Sequence, residues 1–66
     1  MIVASEFLKE FIRSQNGGVD GFSKFSLISR PTIYKILDGE AVSNEVMSTI
    51  LNKTGIELDK AFEVKE

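Results

Sequence analysis

The sequence contains no cysteine and no histidine. Without cysteine there can be no disulfide staples and no thiolate metal site, and a small domain of this kind suits a reducing cytoplasm. Without histidine the chain lacks the commonest general base and metal ligand at neutral pH. Catalysis would fall to paired carboxylates in a cleft. Glu6 with Glu10, and Glu57 with Asp59, read instead as solvated helix faces and caps, and the acids lack the spacing of a calcium loop. The inventory therefore predicts neither an enzyme nor a bound cofactor or metal.

Long apolar runs are also missing. The opening "MIVASEFLKEF" is apolar for only four residues, and Glu6 then interrupts it. A signal peptide needs a basic start and a longer apolar run, and a membrane span needs roughly 20 apolar residues. These absences predict a soluble, cytoplasmic protein with no membrane partner. The 66 residues make a single domain, 1–66, with no room for a separate ligand-sensing unit. A chain of this size buries only about 60% of its unfolded surface, so its core must be well packed or completed by oligomerisation.

What is present is an uneven distribution of charge. The net charge is −2, yet residues 22–37 carry Lys24, Arg30 and Lys35 with no acid at all, for +3. The segments on either side are acidic: −1 over residues 1–21, −2 over 38–54 and −2 from Gly55 onward. Charge asymmetry of this kind says more about partners than the total does.

Apolar spacing predicts five short helices. Val3, Phe7, Leu8, Phe11 and Ile12 mark a first helix over about residues 3–15, stopped at "NGG", Asn16 to Gly18. "VDGFSKFS" suits a two-turn helix with Phe22 and Phe25 three apart and Asp20 near its start; Gly21 costs that helix about 1 kcal/mol relative to Ala. Ser29 caps the third, with its hydroxyl placed to accept from the Thr32 amide. The only proline, Pro31, falls in the first turn, where it does least harm. Ile33, Ile36 and Leu37 form one stripe, and Gly39 closes that helix. Ser43 caps a fourth helix carrying Val46, Met47, Ile50 and Leu51 to a stop at Gly55. A last short helix covers Leu58 to Phe62, before an acidic tail at 63–66. No strand pattern beats the helical one, and the fold class expected is all-α.

These elements resemble the helix-turn-helix domains of the phage lambda-repressor and Cro-like family. The matching residues are Phe22-Ser23, apolar then small; Ile28-Ser29, entering the second helix; Thr32-Ile33; and "DGE" at Asp38 to Glu40. "TGIELDKAF", Thr54 to Phe62, matches the family's closing segment. The likeness runs over about residues 3–62 without an insertion. It implies a compact five-helix domain with the helix-turn-helix at about 19–38, Ser23 small where the two helices cross, and Phe22, Ile28, Ile33 and Ile36 buried so that the second helix stands proud for a DNA groove. Three positions depart from the pattern. Val19 stands where the family often has Gln, Leu27 where the turn usually has Gly, and Val42 where Pro is common.

The resemblance implies double-stranded DNA as partner, with Arg30 at the start of the recognition helix. A guanidinium there can bond both O6 and N7 of guanine, worth about 1–3 kcal/mol of discrimination. Tyr34 would pack on a thymine methyl or bond phosphate, and Lys35 would meet phosphate or a base. Ser29 and Thr32 act first as cap and first-turn residues and then as phosphate donors. Lys24 is a further phosphate contact. Ser43 and Asn44 open the fourth helix, where exposed amides and short polar side chains suit a phosphate.

A near-palindromic operator implies a homodimer with recognition helices about one DNA turn apart. Leu58, Phe62 and Val64 are its apolar candidates, with the monomer's own core as the competing destination for Phe62. The function expected is a small phage or bacterial transcriptional repressor. The alternative is a protein-binding module on the same fold, such as an antitoxin or an inhibitor of a host protein. The acidic balance and Val19 favour the alternative, whereas the acid-free stretch 22–37 opposes it.

Overall fold

Ser5 begins the first helix rather than lying inside it. Its backbone is extended and its hydroxyl accepts from the Leu8 N–H at 3.2 Å, so the chain turns helical only at Glu6. In the computed structural model, which describes all of residues 1–66, the order is β1 (Ile2–Ala4), α1 (Glu6–Arg13), α2 (Gly18–Ser26), α3 (Arg30–Leu37), α4 (Asn44–Thr54), α5 (Leu58–Ala61) and β2 (Phe62–Val64). No helix is long and apolar enough to cross a membrane.

The expectation of a purely α-helical chain is corrected here. Residues 2–4 and 62–64 form a two-stranded antiparallel sheet, with Ile2 opposite Val64, Val3 opposite Glu63 and Ala4 opposite Phe62. Val3 therefore belongs to a strand, and α1 covers 6–13 rather than 3–15. Phe62 leaves α5 for extended backbone at φ −133°. The cause is tertiary: the Ser5 N–H bonds the Ala61 carbonyl at 2.9 Å and the Ser5 hydroxyl donates to the Lys60 carbonyl, clamping the chain's two ends together.

The core follows the helical stripes. Leu8 and Ile12 from α1, Phe22 from α2, Ile33 and Ile36 from α3, and Ile50 from α4 meet in one cluster with Ala4, Ile28, Val42, Ala61 and Phe62. Phe22 is completely buried and packs edge-on to Phe11 at 6.3 Å. Truncating such a buried Ile or Leu to Ala costs about 2–5 kcal/mol, a large share of the stability of so small a domain. Phe62 is buried here, so it completes the monomer's core, while Leu58 and Val64 remain exposed.

The α2–α3 turn holds the one non-glycine residue with positive φ, Leu27 at 63°. A left-handed leucine costs about 1–2 kcal/mol. The surrounding polar groups hold it there. The Leu27 N–H bonds the Ser23 carbonyl at 2.8 Å, and the Ser23 hydroxyl donates to the Ile28 carbonyl at 2.6 Å. The fully buried Ser26 donates to the Phe22 carbonyl at 2.7 Å and accepts from the Ile28 N–H at 3.3 Å. Ser23 is thus a small residue with a bonding role between the two helices.

Candidate nucleic-acid interface

Helix α3 presents two unlike faces. Ile33 is fully buried and Ile36 nearly so, fixing the helix against the core, while Arg30, Tyr34 and Lys35 on other faces are exposed. Arg30 and Tyr34 are four apart and lie one turn above the other; Thr32 and Lys35, three apart, form an adjacent row. Tyr34 is 55% exposed. Pro31 sits in the first turn.

The cap of α3 differs from the sequence expectation. Ser29 has the extended backbone of an N-cap, but its hydroxyl makes no bond to a helix amide. It pairs instead with the Thr32 hydroxyl at 3.0 Å, while the Ser29 carbonyl accepts from the Ile33 N–H at 3.1 Å. Two hydroxyls therefore sit together at the mouth of the helix, and one proton of the pair is free to point outward.

Ser43 caps α4 as expected, accepting from the Val46 N–H at 3.2 Å. Asn44 follows as the first helical residue, exposed beside it. A cleft between α3 and α4 is lined by Thr32, Lys35, Ile36, Ala41, Val42, Ser43 and Val46, which brings Lys35 and the α4 N-terminus to one place. Val42, where the resemblance suggests Pro, is buried, and its N–H bonds the Ile2 carbonyl at 2.9 Å. Proline could not make that bond.

A second cleft collects Asp20, Ser23, Lys24 and Arg30. Here the structure modifies the picture of an acid-free stretch. The Arg30 guanidinium donates to the Asp20 carboxylate at 3.0 Å, ten residues earlier in the chain, with both side chains 62% exposed. An ion pair so open to water contributes little to stability, yet it sets where the guanidinium rests. Lys53 was also outside the sequence expectation; it shares a groove with Ser29, Thr32, Glu45 and Thr49. No local signal ties Lys53 or Asp20 to α3, because both arrive through packing of other helices.

All eight expected contact residues thus lie on the surface around α3. Lys24 and Arg30 share the first-turn cleft, Thr32, Lys35 and Ser43 the α3–α4 cleft, Ser29 bridges to Thr32, and Asn44 adjoins Ser43. Tyr34 stands apart, lining none of these clefts. The ensemble can offer one guanidinium, two ammonium groups and four short polar side chains to a polyanion, with Asp20 and Glu45 as the acids in its midst. In comparison with known proteins, no family model, no curated protein and no solved structure matches this chain.

Proposed function

We propose that this protein is a sequence-specific DNA-binding regulator that inserts α3 into the major groove. The observation that carries the reading is the arrangement of α3: Ile33 and Ile36 anchor it while Arg30, Tyr34 and Lys35, on its other sides, are exposed. Arg30 reads a guanine edge. Lys24, Lys35, Ser29, Thr32 and the opening of α4 at Ser43 and Asn44 hold the flanking phosphates. The resemblance to lambda-repressor and Cro-like helix-turn-helix domains supports a small phage or bacterial repressor, acting in the cytoplasm as a homodimer on a near-palindromic operator.

Only Lys24, Arg30 and Lys35 carry positive charge on the helix-turn-helix segment, so a single copy releases few counterions and binds weakly. The test is fluorescence anisotropy with the duplex upstream of the protein's own gene and with a scrambled duplex, over a series of salt concentrations. Tighter binding to the upstream duplex, weakening with salt, supports the reading. Equal affinity for both duplexes, or none for either, removes it.

A second reading has one observation in its favour. Leu27 on the turn beside α3 is 81% exposed and Phe25 in the last turn of α2 is 44% exposed, and Asp20 already engages Arg30. On that reading the same domain holds a protein, as an antitoxin or inhibitor would. The Leu27→Ser variant separates the two, because it removes apolar surface without touching a phosphate or base contact.

A further inference from the structure

The cleft at the first turn of α3 holds three charged side chains, Asp20, Lys24 and Arg30, and only two of them pair. Asp20 lies in the first turn of α2 and Lys24 four residues on, in its last turn. That spacing, acid before base, ordinarily favours an ion pair along one helix. Asp20 instead accepts from the Arg30 Nη1 of the next helix at 3.0 Å, and Lys24 makes no ion pair. Ser23, in the same cleft, is already committed, its hydroxyl donating to the Ile28 carbonyl. The two cations thus meet solvent in different states. Lys24 is an unpaired charge on a flexible stem, whereas Arg30 is one half of a neutral pair.

A guanidinium carries five donors in one plane. The bond to Asp20 uses Nη1 and leaves the Nε–Nη2 edge whole. A guanine edge, O6 beside N7, has no net charge and requires only two aligned donors. A phosphate is bound through charge, and it gains little from a cation that a carboxylate offsets at 3.0 Å. The carboxylate also repels the phosphate directly.

We propose that Asp20 is a positioning residue for Arg30: it withholds the guanidinium from backbone phosphate and leaves it to a guanine edge. The protein thereby gives up affinity for random DNA and gains sequence preference, while phosphate binding in this cleft falls to Lys24. The inference rests on the preceding reading that α3 enters the major groove. Its size is bounded by the pair itself. Both side chains are 62% exposed, so the attraction is weak, and the ordering of one long side chain supplies the rest. Together they amount to about two- to fivefold in the ratio of preferred to random affinity.

Fluorescence anisotropy decides it, with the upstream and scrambled duplexes over a salt series, for wild type, Asp20→Asn, Arg30→Ala and the double variant. Arg30→Ala alone is expected to weaken the upstream duplex and leave the scrambled one nearly unchanged. Asp20→Asn binds both more tightly, and the scrambled duplex gains about two- to fivefold more than the upstream one. Its salt dependence on the scrambled duplex steepens by about one phosphate contact, and adding Arg30→Ala removes that gain. Asp20→Glu, which keeps the carboxylate, is expected to keep the wild-type ratio. A merely structural role for Asp20 would weaken both duplexes together without steepening the salt slope. An Asp20→Asn variant with the wild-type ratio and slope overturns the proposal, and so does an Arg30→Ala variant that weakens both duplexes equally. The reading of α3 survives either result; it fails with the proposal only when the wild type shows no preference between the duplexes.

Discussion

Replacing Gly21 by alanine tests the packing of the helix-turn-helix most sharply, because two physical arguments give opposite signs. Helix propensity alone favours the change: Gly21 lies within α2, and alanine there is worth about 1 kcal/mol over glycine. The structure opposes it. A Cβ on Gly21 would fall well inside contact with the Asn16 carbonyl oxygen and only 2.9 Å from its carbon, and both are backbone atoms. No rotamer can move them aside. The turn that brings Asn16 so close uses Gly17 and Gly18, both with positive φ, and the Gly21 N–H bonds the Gly17 carbonyl at 3.3 Å. Overpacking costs about 1–3 kcal/mol when side chains can adjust. Against fixed backbone the upper end applies, so the net loss is about 2 kcal/mol after the propensity gain. For a domain of this size that lowers Tm by roughly 8–16 °C. Thermal and urea unfolding followed by circular dichroism measure it, with the m-value unchanged. A Tm at or above wild type would refute the reasoning and show that the 16–18 turn can yield.

Three further outcomes are expected. Ser26→Ala removes the fully buried hydroxyl that the Ile28 N–H donates to, leaving that amide without its partner; urea unfolding should show a loss of about 1–3 kcal/mol. Asp20→Asn removes an anion from the Arg30 guanidinium and a negative charge from the proposed DNA face, so operator affinity measured by anisotropy should rise several-fold, with little change in Tm because the pair is exposed. Arg30→Ala should weaken binding to the preferred duplex by about 1–3 kcal/mol and relax preference at one base position, measured against a panel of substituted duplexes.

Much of the helical frame was legible because its signals are local. Ser43 capping α4, the left-handed Gly55 that ends it, and the stripe of Ile33 and Ile36 each depend on residues within a few positions. The sheet was not legible in this way. Ile2, Val3 and Ala4 show no alternation, and the partner strand lies some sixty residues away in sequence, so only the clamp of Ser5 on Lys60 and Ala61 decides their conformation. The apolar spacing of Val3 and Phe7 suggests a longer helix than the one Ser5 caps. At the candidate site, exposure of Arg30, Tyr34 and Lys35 followed from helical periodicity, whereas the Asp20–Arg30 pair required α2 and α3 to be set at a definite angle. Leu27 shows the same division. Its departure from glycine was visible in the sequence, but the four bonds that surround its positive φ, three with serine hydroxyls and one between backbone groups, were not.

The central claim is that the face of α3 enters a DNA groove, and an amide NMR titration tests it most directly. The protein is titrated with the duplex upstream of its own gene at low and moderate salt. The account predicts salt-sensitive shifts centred on residues 24–35 and 43–44, reduced in Arg30→Ala. Shifts absent at both salt concentrations, or scattered away from that surface, would contradict it.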